Sequence, residues 1–295
     1  MSAKVKDKIA TIVLYIISAL VILLLVSLIG YIIYNGRDSL NAKFIFGAEK
    51  IGEAGGGIGR QLYNSLSLLV VTLIITIPLG VGAGIYLAEY AKEGKVLEVI
   101  RLCIETMASL PSIVVGLFGL LIFVTMAKWG YSLLAGALAI AIINLPGMTR
   151  VCENAVRTAS EGVKEASLGL GATLWQTISN VVLPSAMPQI LTGVILAAGR
   201  IFGEAAALLY TAGMSAPTLN FATLSLTDKV SGFSLLRPAE TLAVYIWKLN
   251  SEGMVPDASK IANGASAVLI IAVLIFNVSA RIIGKKLYES HAGGK

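Results

Sequence analysis

Charge is scarce in this chain. Asp, Glu, Lys and Arg make up 14% of its 295 residues, against ~25% in an ordinary soluble domain. That is too little to cover a water-facing surface, so a soluble fold is excluded. Disorder is excluded as well, because 56% of the residues are hydrophobic. Histidine is almost missing. His291 stands alone near the C-terminus, which argues against a His-based metal site and against a Ser-His-Asp hydrolase. The two cysteines, Cys103 and Cys152, sit in or beside apolar runs, so there is no disulfide scaffold. A phosphate loop is lacking too. Gly94-Lys95, Gly284-Lys285 and Gly294-Lys295 are not followed by the required Ser or Thr. The chain is therefore not expected to be an enzyme or to hydrolyse ATP itself. An intramembrane enzyme would need a nucleophile or a carboxylate cluster for Mg²⁺, and neither is legible.

What is present is apolar sequence in long runs. A spanning helix needs ~20 mostly apolar residues. Six candidates qualify: Ala10 to Tyr34, Leu62 to Leu87, Cys103 to Met126, Tyr131 to Leu145, Gln189 to Tyr210 and Gly264 to Ile283. The first follows Lys4, Lys6 and Lys8 but is too long for a signal peptide, and no small-residue cleavage site follows it, so it reads as a retained anchor. The expected fold is an all-α membrane protein of six transmembrane helices. Residues 1–61 form an anchor helix and outer loop, 62–284 the transmembrane domain, and 285–295 a tail. With both termini in the cytosol, the inner segments hold Lys92, Lys95, Arg101, Arg150, Arg157, Lys164, Arg281, Lys285, Lys286 and Lys295 besides the N-terminal lysines. That arrangement satisfies the positive-inside rule and accounts for the net charge of +6 without nucleic acid. It places a loop at about 150–188 inside and one at about 211–263 outside. The glycine-rich stretch Gly55 to Gly59 reads as a flexible outer loop. Gly80, Gly82 and Gly84 read as helix packing rather than as a nucleotide site.

The inner loop carries the strongest pattern. Leu170, Leu174, Ile178 and Val182 recur every fourth residue, an apolar stripe on a helix. Gly169 and Gly171 favour a turn between two short helices, and Pro184 is expected to end the second. Upstream, Glu153 and Arg157 are spaced for an i,i+4 pair. Within the spans, Arg200 and Glu204 also stand at i,i+4. Charges at that depth cost ~2.5–3.5 kcal/mol each on insertion scales and are usually functional. The pair reads either as part of a substrate path, with the guanidinium fork matching an oxyanion, or as a structural ion pair. Arg150 follows Asn144-Leu145-Pro146, where a helix break is expected to line a cavity. Its plain alternative is an arginine obeying the positive-inside rule. Glu105 reads equally as a snorkelling side chain or a functional one.

Glu165-Ala166-Ser167, three residues, Gly171, nine residues, then Val181-Val182-Leu183-Pro184 resembles the EAA loop of ABC importer permeases. Glu165, Ala166, Gly171, Leu183 and Pro184 match that pattern, while Ser167 and Val181 depart mildly from it. The loop of that family is a coupling helix that docks on the ATPase subunit. Leu110 to Gly116, Asn144-Leu145-Pro146 with Arg150, and Gly199 to Ala205 followed by Leu208 to Gly213 resemble, in the same order, the PstA family of permease subunits of phosphate importers. Gly203-Glu204-Ala205-Ala206 departs from that family's usual G-E-T-A. The resemblance implies a type I ABC importer permease fold in a bacterial or archaeal plasma membrane. It implies a PstC-like second permease subunit, two PstB-like ATPase subunits that bind ATP and Mg, and a PstS-like phosphate-binding protein outside. It implies transport roles for Arg150, Arg200 and Glu204, with no cofactor in this chain. Permeases for phosphonate, sulfate or molybdate remain alternatives, as does an ATP-independent secondary transporter.

Overall fold

In hydrocarbon a backbone N–H or C=O has no water to bond, so apolar runs must fold as helices. The computed structural model describes residues 3–50, 53–215, 217–252 and 255–292; of the residues named above, Gly294 and Lys295 lie outside these. Twelve α-helices follow in order among the described residues: α1 Ala3–Gly36, α2 Ala42–Phe46, α3 Gly59–Ile85, α4 Lys95–Ala108, α5 Ser112–Gly119, α6 Leu133–Ser160, α7 Val163–Gly169, α8 Leu174–Thr177, α9 Leu183–Gly203, α10 Ala206–Thr211, α11 Leu242–Glu252 and α12 Ala258–Ala292. Five helical stretches are long and apolar enough to cross a membrane. A sixth results if Lys95–Ala108 and Ser112–Met126, bent by 95°, are one broken span.

The third apolar run is thus not one straight helix. Pro111 caps α5, and the residue before a proline is pushed out of the helical region. Proline does not act this way elsewhere, which corrects two expectations. Pro146 lies inside α6, which runs on to Ser160. Pro184 sits in the first turn of α9, directly after a π-turn at Ile178–Val182. That turn shifts the hydrogen-bond register by one residue, so Leu183 N–H bonds Ile178 C=O, and the helix passes the missing N–H without stopping. The fourth and fifth spans are therefore longer than their apolar runs. The inner loop shrinks to α7 and its flanking turns.

α3 and α6 run side by side in the same direction, with Gly80 against Met148 and Gly84 against Cys152. α9 runs opposite to both, with Gly193 on Val151. α12 completes the group, with Gly284 on Leu191 and Gly264 on Ser39. The bundle thus has an α7 end and an α11 end, and α12 finishes at the α7 end. α1 touches α12 over its last turns and is otherwise exposed.

The α11 end is held by a buried polar network that the reading of the sequence did not anticipate. Arg237 is fully buried; its Nε donates to Gly232 C=O at 3.1 Å and its Nη1 to Asn64 Oδ1 at 2.5 Å. Glu240 is buried as well. It accepts from Gln61 Nε2 at 3.0 Å and from Lys248 Nζ at 2.9 Å. Gln61 Nε2 also donates to Glu49 Oε2 at 2.9 Å. The long segment after α10 is thereby pinned to the first turns of α3. The glycine-rich stretch is packed rather than free. Gly57 and Gly59 donate to Ala48 and Gly47 carbonyls, and a Cβ on Gly57 would meet Gly47 carbon at 2.6 Å.

Two outcomes follow from this packing. A Cβ on Gly84 would meet Cys152 Cβ at 2.4 Å and Glu153 nitrogen at 2.8 Å, whereas one on Gly82 meets nothing within 4 Å. Gly84→Ala is expected to cost about 1–3 kcal/mol, and Gly82→Ala to be neutral or to gain up to ~1 kcal/mol from helix propensity. Thermal unfolding in detergent reads both, and equal behaviour of the two variants would contradict the packing. Burial raises the Glu240 carboxyl above its ordinary 4.5, against the lowering effect of Gln61 and Lys248. A raised value means the fold favours the protonated form. Its contribution is then full below the ordinary value and is lost as pH rises through the folded one. Glu240→Gln is expected to flatten the fall of the unfolding midpoint as pH rises above the ordinary carboxyl value. An unchanged slope would rule Glu240 out as its source.

Candidate functional site: a broken span and a charged helix end

The fifth span breaks where the intramembrane charges lie. α9 stops at Gly203, and Glu204 turns extended at φ −73°, ψ 131° before α10 starts. Arg200 and Glu204 are therefore on opposite sides of a helix end, and the expected i,i+4 ion pair is not formed. The spacing rule holds only inside a continuous helix. Glu204 Oε1 instead accepts from Ala207 N–H at 3.3 Å, which caps the first turn of α10. Arg200 sits in the last turn of α9, where a cation complements the negative end of the helix dipole. It is exposed, and no ion pair or hydrogen bond reaches its side chain among the described residues.

α10 is wedged tightly beside this break. A Cβ on Gly116 of α5 would meet Ala207 Cα at 2.8 Å, and one on Gly119 would meet Thr211 Cγ2 at 2.5 Å. The backbone freed by the break thus lies against α5 and α6, where irregular backbone is tolerated at membrane depth. The tight approach explains why the Gly116 position carries no side chain.

Arg150 lies elsewhere. It is in the continuous part of α6, not at a break, and its Nη2 is 3.0 Å from Glu105 Oε1 of α4. Glu105, ambiguous in the sequence, is thus an ion-pair partner. One helical turn further along, Glu153 Oε1 takes both Arg101 Nη2 at 2.7 Å and Arg157 Nη2 at 3.1 Å, so the expected Glu153–Arg157 pair is present. These side chains line a cleft of about 300 Å³ between α4 and α6. Arg150 stands near Gly193 of α9, since the neighbouring Val151 touches it. At 1.5 Å per residue, the two arginines are separated by roughly 10 Å along α9. They are two stations and not one site.

The proposed coupling segment is a helix-turn-helix, as its pattern predicts. Gly162 and Gly171 take left-handed φ values of 77° and 89° at the start of α7 and after it. Thr173 and Gln176 form a capping box that starts α8. Glu165 and Ala166 are exposed on α7. The apolar stripe splits: Ile178 and Val182 are buried in the bundle, while Leu170 is 91% exposed at the turn, with Trp175 also exposed. Leu183 and Pro184 have entered α9. The polar face of α3 that holds the α11 end (Gln61, Asn64, Ser65) was missed in the sequence, although its helical spacing within an apolar run is a signal that could have found it.

Compared with known proteins, residues 80–289 match the family described as binding-protein-dependent transport system inner membrane component. The chain is 52% identical over 289 residues to the probable ABC transporter permease protein YqgI of Bacillus subtilis (strain 168), covering 98% of each. It is 35% identical over 235 residues to the phosphate transport system permease protein PstA of Yersinia pestis, covering 79% of this chain and 74% of that one. The inward-facing MetNI methionine ABC transporter superposes with a TM-score of 0.61 at 18% identity, over 77% of this chain and 94% of that one. That fold is a type I ABC importer permease. Apolar spans, a broken fifth crossing and a helix-turn-helix between the fourth and fifth thus coincide with the profile match, and the chain belongs to the family of binding-protein-dependent inner-membrane permease subunits of ABC transporters.

Proposed function

We propose that this chain is a permease subunit of an ATP-driven importer of inorganic phosphate, working by alternating access. The observation that carries the reading is Arg200. It is exposed on the surface of a span and has no partner among the described residues. A charge there is too costly to face acyl chains, so it faces a polar path completed by a second permease subunit. The planar fork of donors suits an oxyanion. A lone arginine binds weakly enough to let the ion leave. Glu204 begins the break beside it, and Arg150 with Glu105 forms a later station, where a passing anion competes with the carboxylate. The relatives named PstA favour phosphate over other oxyanions. The relative at 52% identity is named only as a permease, so phosphonate, sulfate and molybdate remain the second reading.

The further parts follow from the family resemblance. A PstC-like subunit completes the path, two PstB-like ATPases bind ATP and Mg²⁺, and a PstS-like protein delivers phosphate. The α7–α8 turn, with Glu165, Ala166, Gly171 and the exposed Leu170 and Trp175, docks on the ATPase as the EAA loop. Leu183 and Pro184 carry its motion into α9. The α7 end then faces the cytosol, and so do both termini. ATP binding closes the ATPases, the helices tilt, and the α11 end opens to the loaded binding protein. Pro111 is the bend in this scheme, whereas α6 and α9 pass Pro146 and Pro184 as unbroken levers.

Arg200→Ala is expected to assemble normally and to lose roughly ten- to a hundredfold in uptake of radiolabelled phosphate, the worth of one charge-assisted contact. Normal uptake by that variant would refute its role. Excess sulfate or phosphonate that suppresses wild-type uptake would move the substrate to another oxyanion. Transport that persists without ATP would favour a secondary transporter.

A further inference from the structure

α7 has a direct tie to a span with which it shares no chain connection. α3 does not end cleanly. It widens into a π-turn at Tyr86–Tyr90, and that turn carries Glu89, whose side chain is 1% exposed. Lys164 of α7 reaches in, with Nζ 2.6 Å from Glu89 Oε2. The approach is off the axis of a good hydrogen bond, so charge holds the contact. Lys164 immediately precedes Glu165, the first residue of the EAA-like segment.

A buried carboxylate without its cation is a heavy cost. If α7 moves, Glu89 must follow it or be left uncompensated. α7 is otherwise connected by the chain itself: to α6 through the left-handed Gly162, and to α9 through α8, with Ser167 and Thr177 hydroxyls 2.9 Å apart closing the turn. The route to α9 also passes a π-turn, at Ile178–Val182. Such turns let a helix change register or direction locally. α7 therefore meets the bundle at two helix ends of the same altered geometry, one covalent and one ionic.

We propose that Glu89 and Lys164 form a strut through which movement of α7 drives α3, so that the ATPase stroke reaches the α3–α6 pair as well as α9. Both are positioning residues, and neither touches the transported ion. The proposal rests on α7 being the coupling helix.

The test uses the whole transporter, this chain with its second permease subunit, ATPases and binding protein, in proteoliposomes. ATP hydrolysis and inorganic phosphate uptake are measured in the same vesicles. Lys164→Met is expected to assemble and hydrolyse ATP while phosphate moved per ATP falls at least about tenfold, within the range of ordinary coupling energies. Lys164→Arg, which keeps the charge, is expected to stay within roughly twofold of wild type. A normal ratio in Lys164→Met, or an Arg variant as uncoupled as the Met variant, overturns the strut. If Lys164→Met does not assemble, the exchanged pair Glu89→Lys with Lys164→Glu decides. A ratio near wild type supports the strut, and an assembled, hydrolysing but non-transporting pair overturns it. Leu170→Asp separates the two claims. If that change at the exposed turn leaves ATP-driven uptake intact, the coupling-helix reading itself fails. If it abolishes uptake while Lys164→Met transports normally, only the strut fails.

Discussion

Every irregularity in this protein is set by one constraint: inside a membrane, a helix can stop only where something else takes its loose backbone groups. The fifth span stops at Gly203 because α5 and α6 are there to receive α10, with Gly116 and Gly119 giving up their side chains to let it in. The third span stops at Pro111, with α5 restarting at Ser112 beside the same short helix. The two breaks face each other through α5 and α10. Elsewhere the helices continue even against local chemistry. Pro146 is flanked by α3 and α9 and is carried through, and Pro184 is passed by a π-turn.

That constraint also sorts what the sequence revealed from what it hid. Hydropathy over twenty residues is a strong signal, so the number and order of spans were legible. The helix-turn-helix of α7 and α8 was legible as well, because Gly171 and the fourfold apolar spacing act locally. Prolines misled, since a proline's effect depends on whether a neighbour can satisfy the freed carbonyl, and neighbours are not written in a local window. The Arg200–Glu204 spacing misled for a related reason: an i,i+4 pair presupposes an unbroken helix, and the break falls between them.

The buried network at the α11 end shows a third kind of failure. Arg237 and Glu240 lie in a stretch without periodicity, and nothing near them announces burial. Their partners Gln61 and Asn64 come from a helix more than 170 positions earlier. The polar stripe on α3 (Gln61, Asn64, Ser65, then Thr72 and Thr76) was the one local signal of this network, and it was passed over in the sequence. Its lower members show the cost of that stripe: Thr72 and Thr76 hydroxyls are buried without a partner. The stripe is used chiefly in its first turns, where the loop meets it, and even there Gln61 Oε1 has no partner.

Charge in this chain is consequently segregated by role. At the α11 end, Arg237 is buried on neutral oxygen acceptors and Glu240 is buried against Gln61 and Lys248, which fixes a long segment that would otherwise be loose. At the α7 end, Glu105 holds Arg150 in an exposed pair, which is individually worth little, while the buried Glu153 takes the partly exposed Arg101 and Arg157. Weak pairs are easily exchanged, which suits a surface that must change partners. Glu89 is the more deeply buried carboxylate at that end, answered by the partly exposed Lys164. Arg200 stands apart from both groups, at a helix end within a span, with its charge answered only by the α9 dipole. Arg200 thus sets a positive charge beside the broken helix with no side-chain partner among the described residues, where an anion can meet it.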